Sequence, residues 1–380
     1  MDFYRKTAII VLAVLVSTII IWLPFIFNYP IWGIPVPDSG LATVASNYDG
    51  PYYIAIAKTL YDPQALKQFE FNLPVEYYAA HFPLYPLTIK FFGLFTNYVY
   101  AMLISTVVFM ILAAITFYKL ALYLKLPQSL FLTLCLLILP ARLVIARTVG
   151  TPEPEFMFFT LWSVYAFLRG KYMQAGIAGA LSVATKPPGI LLFAAMGLSL
   201  LHEYLAQFKS NPKHNWYNLP WRSWPILLLP LSLISVFYFY AQRYGSFFAY
   251  FQSGDNIHLF WPPFQMFNFQ AVWVGTFWLE DIIWWMLISA TALMLIYQRH
   301  RNLIFYYFLI FFTSLLFVQH RDIARYALPL APFLIIAYAP YLAHSTVKKA
   351  ILIIIIPIYL FSINYIAGNT VPISDWTKLL

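Results

Sequence analysis

The sequence predicts an all-α polytopic membrane protein with about eleven transmembrane helices. Three observations carry that expectation. Only 10% of the 380 residues are charged, whereas a soluble domain carries about 25% because its surface faces water. Hydrophobic residues make up 62%, and unbroken runs such as Thr7–Phe27 and Ala350–Ile366 approach the ~20 apolar residues that cross a ~30 Å hydrocarbon core as a helix. A backbone in lipid must satisfy its polar groups internally, as a helix or a closed barrel, and barrel strands would alternate over about ten residues instead.

Taken in order, the apolar runs place helices at about 7–27, 98–118, 128–146, 153–168, 173–187, 188–204, 223–241, 277–297, 303–319, 326–345 and 350–366. The first resembles a signal peptide, with Arg5 and Lys6 ahead of it. Its apolar stretch is too long for an ordinary h-region and no small-residue cleavage site follows closely, so a retained helix is expected. Placing the N-terminus in the cytoplasm puts thirteen basic residues on the inner side, among them Lys119, Lys125, Arg169, Lys171, Arg299, Arg301, Lys348 and Lys349, with only Asp2 and Glu203 as acids. Twelve of the fourteen acids then fall on the outer side. This is the asymmetry of the positive-inside rule. It also removes the nucleic-acid reading that a net charge of +9 invites. The single cysteine, Cys135, excludes an intrachain disulfide.

The chain reads as one integral membrane domain, 1–380, with two long outer loops. Residues 28–97 form the first, too long for a turn and too aromatic for disorder. Within it Tyr52–Tyr61 and Pro83–Phe95 read as short interfacial helices, since Tyr and Trp favour that depth. Residues 242–272 form the second, with Asp255 and His258.

Four outer clusters can carry chemistry. Asp49, in Asn47-Tyr48-Asp49-Gly50-Pro51, suits an N-cap as well as catalysis. His81, in His81-Phe82-Pro83-Leu84-Tyr85-Pro86, is followed by Lys90; a lone interfacial His is more often structural. Arg142 and Arg147 precede Thr148-Val149-Gly150-Thr151-Pro152-Glu153-Pro154-Glu155, where a solvated salt-bridge rim competes with function. Arg142 falls inside a helix end, where ionisable groups are expensive. The fourth cluster is His320-Arg321-Asp322-Ile323-Ala324-Arg325, a self-paired polar turn or, at helical spacing, an Arg321 and Arg325 pair able to grip phosphate oxygens. Lys186, in Thr185-Lys186-Pro187-Pro188, is a lysine in an apolar stretch and wants an anionic partner. Together these residues suit a lipid-phosphate-linked substrate, with its phosphate at the cations and its head group near Asp49.

Four segments in order also resemble a family. Asn47–Leu60 with His81–Pro86 is similar to the W/Y-D-x-x-x-Y…I-A and F-F-P-L-Y-P pair of the PIG-V-like mannosyltransferases. Thr148–Phe156 resembles their S-x-G-S-P-E-P-L-F segment, and Ala184–Leu191 their L-T-R-P-T-G-I-L segment, with Lys186 in place of arginine. Arg321–Pro329 resembles R-x-x-R-Y-x-L-P. No Rossmann-type glycine fingerprint is present. The resemblance implies a C-type glycosyltransferase fold, a polyprenyl- or dolichyl-phosphate sugar donor, and a glycan or glycolipid acceptor, as in the eukaryotic relatives that add the second mannose of the GPI-anchor precursor. It implies Asp49 as catalytic base, with His81, Lys90, Arg142, Arg147, Glu153, Glu155, Lys186, Arg321, Asp322 and Arg325 binding substrate at the outer face. It leaves a divalent cation open as cofactor and involves no nucleic acid. The lack of an N-x-[ST] sequon suits the plasma membrane of a prokaryotic cell. The competing expectation is a transporter or flippase of lipid-linked saccharides, which would use broken helices and buried charges without chemistry. A weaker third is a non-catalytic subunit of a glycosylation complex.

Overall fold

The computed structural model describes residues 2–69, 71, 73–210, 221–254, 259–271, 274, 278–320, 322–373 and 375–380. In chain order, the helices are α1 (Asp2–Ile26), α2 (Leu41–Ala45), α3 (Gly50–Thr59), α4 (Pro63–Lys67), α5 (Leu84–Phe92), α6 (Tyr98–Tyr123), α7 (Ser129–Leu136), α8 (Ala141–Ala146) and α9 (Glu153–Leu168). They continue as α10 (Tyr172–Thr185), α11 (Leu191–Ser210), α12 (Leu228–Tyr244), α13 (Trp278–Arg299), α14 (Leu303–Leu315), α15 (Ile323–Tyr326), α16 (Ala331–Ala337), α17 (Ala339–Leu342) and α18 (Ser345–Gly368). Among the described residues no strand forms, and β pairing is confined to isolated bridges such as Asn47 with Thr370. The chain is an α-helical membrane protein.

Among the described residues, six stretches are long and apolar enough to cross a membrane: Asp2–Ile26, Tyr98–Tyr123, Pro187–Gln207, Trp221–Tyr244, Leu279–Arg299 and Ser345–Gly368. The other five expected spans are shorter or broken. Pro140 divides 128–146 into α7 and α8, and Pro329, Pro332 and Pro340 divide 326–345, because proline removes an N–H and clashes with the preceding turn. Helices α9, α10 and α14 are continuous but have 16, 14 and 13 residues, and at 1.5 Å per residue even the longest is about 24 Å. α9 is sheltered, packing between α6 and α10, with α12 behind α10.

The bundle has two unlike ends. At one, Lys119 lies over the ring of Phe3 and Lys348 over that of Phe131, while the Gln128 amide donates to the Ala343 carbonyl. At the other, the C-terminal end of α1 meets the segment before α9, through a Trp22 Nε1 bond of 2.7 Å to the Thr148 carbonyl. Here too the end of α18 meets the segment carrying Asp49: the Asn47 amide donates to Ile366 O at 2.9 Å, and Val371 N to Ser46 O at 2.7 Å. The charged clusters singled out in the sequence gather at this second end.

Candidate functional site

Asp49 stands at the N-cap position of α3, yet its side chain makes no capping bond. Elsewhere the chain caps as expected: Asp62 accepts from two amides of α4, Asn97 from one of α6, Asn302 from one of α14. The start of α3 is set by Pro51, whose fixed φ suits the first turn, and by Gly50. A Cβ on Gly50 would come within 2.4 Å of the Ala45 carbonyl oxygen, so only glycine lets the chain double back this tightly. The turn frees the Asp49 carboxylate to face inward. Its Oδ2 lies 3.5 Å from Arg325 Nη2 and 4.0 Å from His81 Nε2.

Arg325 rides on the single-turn helix α15, which Asp322 caps by accepting from the Arg325 amide. Its guanidinium reaches two acids, because Nε also donates to Glu153 Oε1 at 3.3 Å. That same oxygen accepts from Lys186 Nζ at 3.1 Å. Glu153 opens the first turn of α9, where the helix dipole favours an anion. Lys186 reaches it from the break between α10 and the turn Pro187–Ile190. Pro187 forces the preceding residue out of the helical region, and Lys186 is accordingly extended at φ −150°, ψ 142°. Gly189 permits the tight return, since a Cβ there would meet the Val183 backbone nitrogen at 2.5 Å. Four segments remote in sequence thus contribute Asp49, Arg325, Glu153 and Lys186 to one continuous ion-pair network.

Burial within this network is graded. The Glu153 side chain is 2% exposed, while Arg325, Lys186 and Asp49 are 20%, 25% and 29% exposed. The buried carboxylate holds two cations side by side, and the cations and Asp49 form the edge that solvent reaches.

A second pair adjoins the first. Arg142 Nη2 lies 3.1 Å from Asp322 Oδ1, the oxygen that caps α15. Each arginine also covers a tyrosine: Arg325 Cζ is 3.8 Å from the centroid of Tyr48, and Arg142 Cζ 4.1 Å from that of Tyr365. The two tyrosine rings lie 5.7 Å apart, so the pair of rings is flanked by a cation on each side. Tyr48 is held at φ +49°, an unusual conformation for a bulky residue, and this delivers its ring beneath the guanidinium. His81 is buried among Tyr53, Tyr77 and Tyr52. Its carbonyl accepts from the Tyr61 and Tyr240 hydroxyls at 2.6 and 2.9 Å. Burial holds the imidazole below its ordinary value of 6.5 despite the pull of Asp49, so the ring facing Asp49 is neutral at pH 7.

Other expected site residues lie elsewhere. Glu155 is buried one side-chain away on α9 and accepts from Thr88 Oγ1 at 3.0 Å, facing α5. Lys90 points its ammonium at the Ala57 carbonyl, 3.5 Å away. Arg147 is 1% exposed, and its Nε donates to the Leu137 carbonyl at 2.8 Å and its Nη1 to Thr18 Oγ1 at 3.2 Å. It satisfies a carbonyl left over where α7 ends, the requirement a broken helix creates inside lipid. Arg147→Met should therefore destabilise the protein by about 1–3 kcal/mol in denaturant titrations, with ligand affinity at the Asp49 cluster unchanged. A loss of affinity at wild-type stability would return Arg147 to the site. Arg321, Asp255 and His258 lie outside the described residues, and α15 begins only at Ile323, so the expected Arg321–Arg325 face is not part of the described geometry.

Compared with known proteins, the sequence matches no family model, and no curated protein gives a significant match. A function is therefore assigned on the geometry of the site.

Sequence reasoning passed over Tyr48 and Tyr365. Tyr48 sits directly beside Asp49, and that adjacency is the signal that could have found it. Tyr365 belongs to an apolar helix and carries no local signal. Among the described residues, no three His, Cys, Asp or Glu side chains gather as metal ligands.

Proposed function

We propose that the chain is a membrane-embedded hexosyltransferase, for mannose in the first instance, that moves a sugar from a polyprenyl- or dolichyl-phosphate carrier to a glycan or glycolipid acceptor. The observation that carries this reading is the Asp49 carboxylate, placed to cap a helix but turned instead toward Arg325 and the Lys186–Glu153 pair. One displacement accounts for the chemistry. The acceptor O–H gives its proton to Asp49 as its oxygen attacks the anomeric carbon. The bond from that carbon to the phosphate oxygen breaks, and the electron pair stays on the polyprenyl phosphate. Lys186 and Arg325 face the charge that grows there, and cations fixed in advance are worth most at that moment. A single displacement inverts the anomeric centre.

The membrane arrangement proposed with it has eleven crossings, the N-terminus in the cytoplasm, and loops 28–97 and 242–272 outside, in the plasma membrane of a prokaryotic cell. Support comes from the two unlike ends of the bundle, with Phe3 beside Lys119 at one and the Asp49 cluster at the other. Labelling intact cells with an impermeant maleimide in a Cys135→Ser background should modify Lys67→Cys and spare Lys349→Cys until the membrane is opened. The opposite pattern inverts the topology and removes the lipid-linked donor.

Purified protein in nanodiscs, given radiolabelled polyprenyl-phosphate mannose and candidate acceptors, should release polyprenyl phosphate and label the acceptor. Movement of the donor between leaflets without transfer would instead favour a flippase, the reading that the helix break at Lys186 also allows. Arg325→Ala should raise donor KM and lower kcat together, since phosphate charge increases toward the transition state. Arg325→Lys should restore only part, losing the fork that reaches two acids at once. Wild-type kinetics in a folded Arg325→Ala protein would take Arg325 out of the site.

A further inference from the structure

A cavity of about 400 Å³ lies beside the charged cluster, between the first long loop and the chain after α18. One wall is Ser39, Thr43 and Ser46, and the other is Thr370, Pro372 and Trp376. Among the described residues its lining carries hydroxyls and one indole but no charged side chain. The two walls are fastened together: Val371 N donates to Ser46 O at 2.7 Å, and Asn47 bridges with Thr370. Further along, Lys58 Nζ donates to the Lys378 carbonyl at 2.9 Å, so the closing segment is tied to α3 as well. The cavity is a built feature of the fold, within the range of small-ligand sites.

Its chemistry selects a class of ligand. It offers hydroxyl and indole donors but no cation to neutralise a phosphate or carboxylate. Deeper in this wall, Thr43 is 2% exposed, its hydroxyl closed off from solvent and without a hydrogen-bond partner, and the Ser46 hydroxyl donates to the Thr43 carbonyl at 3.0 Å. The exposed hydroxyls of Ser39 on one wall and Thr370 on the other can exchange hydrogen bonds with a polyol, and the negative face of an indole attracts the weakly positive C–H face of a sugar ring. Ser46 is three residues before Asp49, so their Cα atoms are at most about 11 Å apart.

We propose that this cavity is a neutral-saccharide subsite that seats the sugar of the acceptor beside Asp49. The acceptor role rests on the glycosyltransferase reading, whereas saccharide binding does not. Equilibrium binding of radiolabelled neutral hexose disaccharides to the full-length protein in nanodiscs tests it, with an acidic disaccharide for comparison. Saturable binding of the neutral sugars is expected. Trp376→Ala should weaken it roughly tenfold, and Thr370→Val, which keeps the backbone pairing to Asn47, several-fold. Trp376→Phe retains an apolar ring against the tail and should lose less than Trp376→Ala, separating a lost stacking face from a displaced segment. Absence of saturable binding, equal binding of the acidic sugar, or indifference to both Trp376→Ala and Thr370→Val would overturn the subsite. Binding that follows these substitutions in a protein that transfers no sugar would uphold the subsite and overturn the transferase reading instead.

Discussion

Asp49→Asn should lower sugar transfer by about 10²–10⁴-fold while leaving the protein folded and the donor bound. The amide copies the shape of the carboxylate and discards its basicity. Two features keep the experiment clean. No cap is lost, because Asp49 makes no capping bond through its side chain. Arg325 also keeps a carboxylate, since its Nε remains on Glu153. The broken contact is a 3.5 Å pair between partly solvated groups, which is worth at most about 1 kcal/mol. Asp49→Glu should retain weak activity at best, as one added methylene moves the carboxylate off the acceptor proton. A folded Asp49→Asn protein with substantial turnover in the radiolabel assay would end the assignment. Glu153 is a poor substitute base, buried and gripped on one oxygen by two cations, so Asp322 would be next.

The largest effect on stability is expected from Glu153→Gln. The glutamate separates two cations, with Lys186 Nζ at 3.1 Å and Arg325 Nε at 3.3 Å from the same oxygen. A neutral amide leaves them facing each other, and breaking a buried pair costs about 3–5 kcal/mol. Both cations keep some contact with solvent, which places the expected loss near ~3 kcal/mol, the lower end of that range. Adding Lys186→Met should recover much of it, because the uncompensated charge is then gone. Denaturant titration of the two variants in detergent checks this. A Glu153→Gln protein as stable as wild type would mean that the carboxylate does not hold the two cations together.

Much of this site could be read along the chain. Asp49, Glu153 and Lys186 each stand next to a proline, a glycine or a helix start, and polar residues placed at such punctuation are conspicuous in an apolar sequence. What could not be read was direction. Glu153 and Glu155 are two residues apart on one helix and look interchangeable in sequence, but at about 100° per residue they project to different sides, one to Lys186 and the other to Thr88. Arg142 and Arg147 part in the same way, the second spent on the carbonyl of Leu137. The helix pattern has a similar limit. Apolar content marked where helical segments begin and end, yet it registered 128–146 and 326–345 as single spans, because hydropathy averages over the prolines that divide them.

The ion-pair network also has a timetable. Lys186 follows Glu153 by 33 residues, whereas Arg325 follows it by 172. At ~5–20 residues per second, the ribosome delivers Arg325 roughly ten to thirty seconds after Glu153 has entered the growing bundle. Lys186, only 33 residues behind, is available to the glutamate for most of that interval, so the half-built protein need not carry an unpaired buried carboxylate while it waits for Arg325. Arg325 then arrives and couples this early pair to Asp49, which was synthesised 276 residues before it. The network is completed late, after most of the helices have been synthesised.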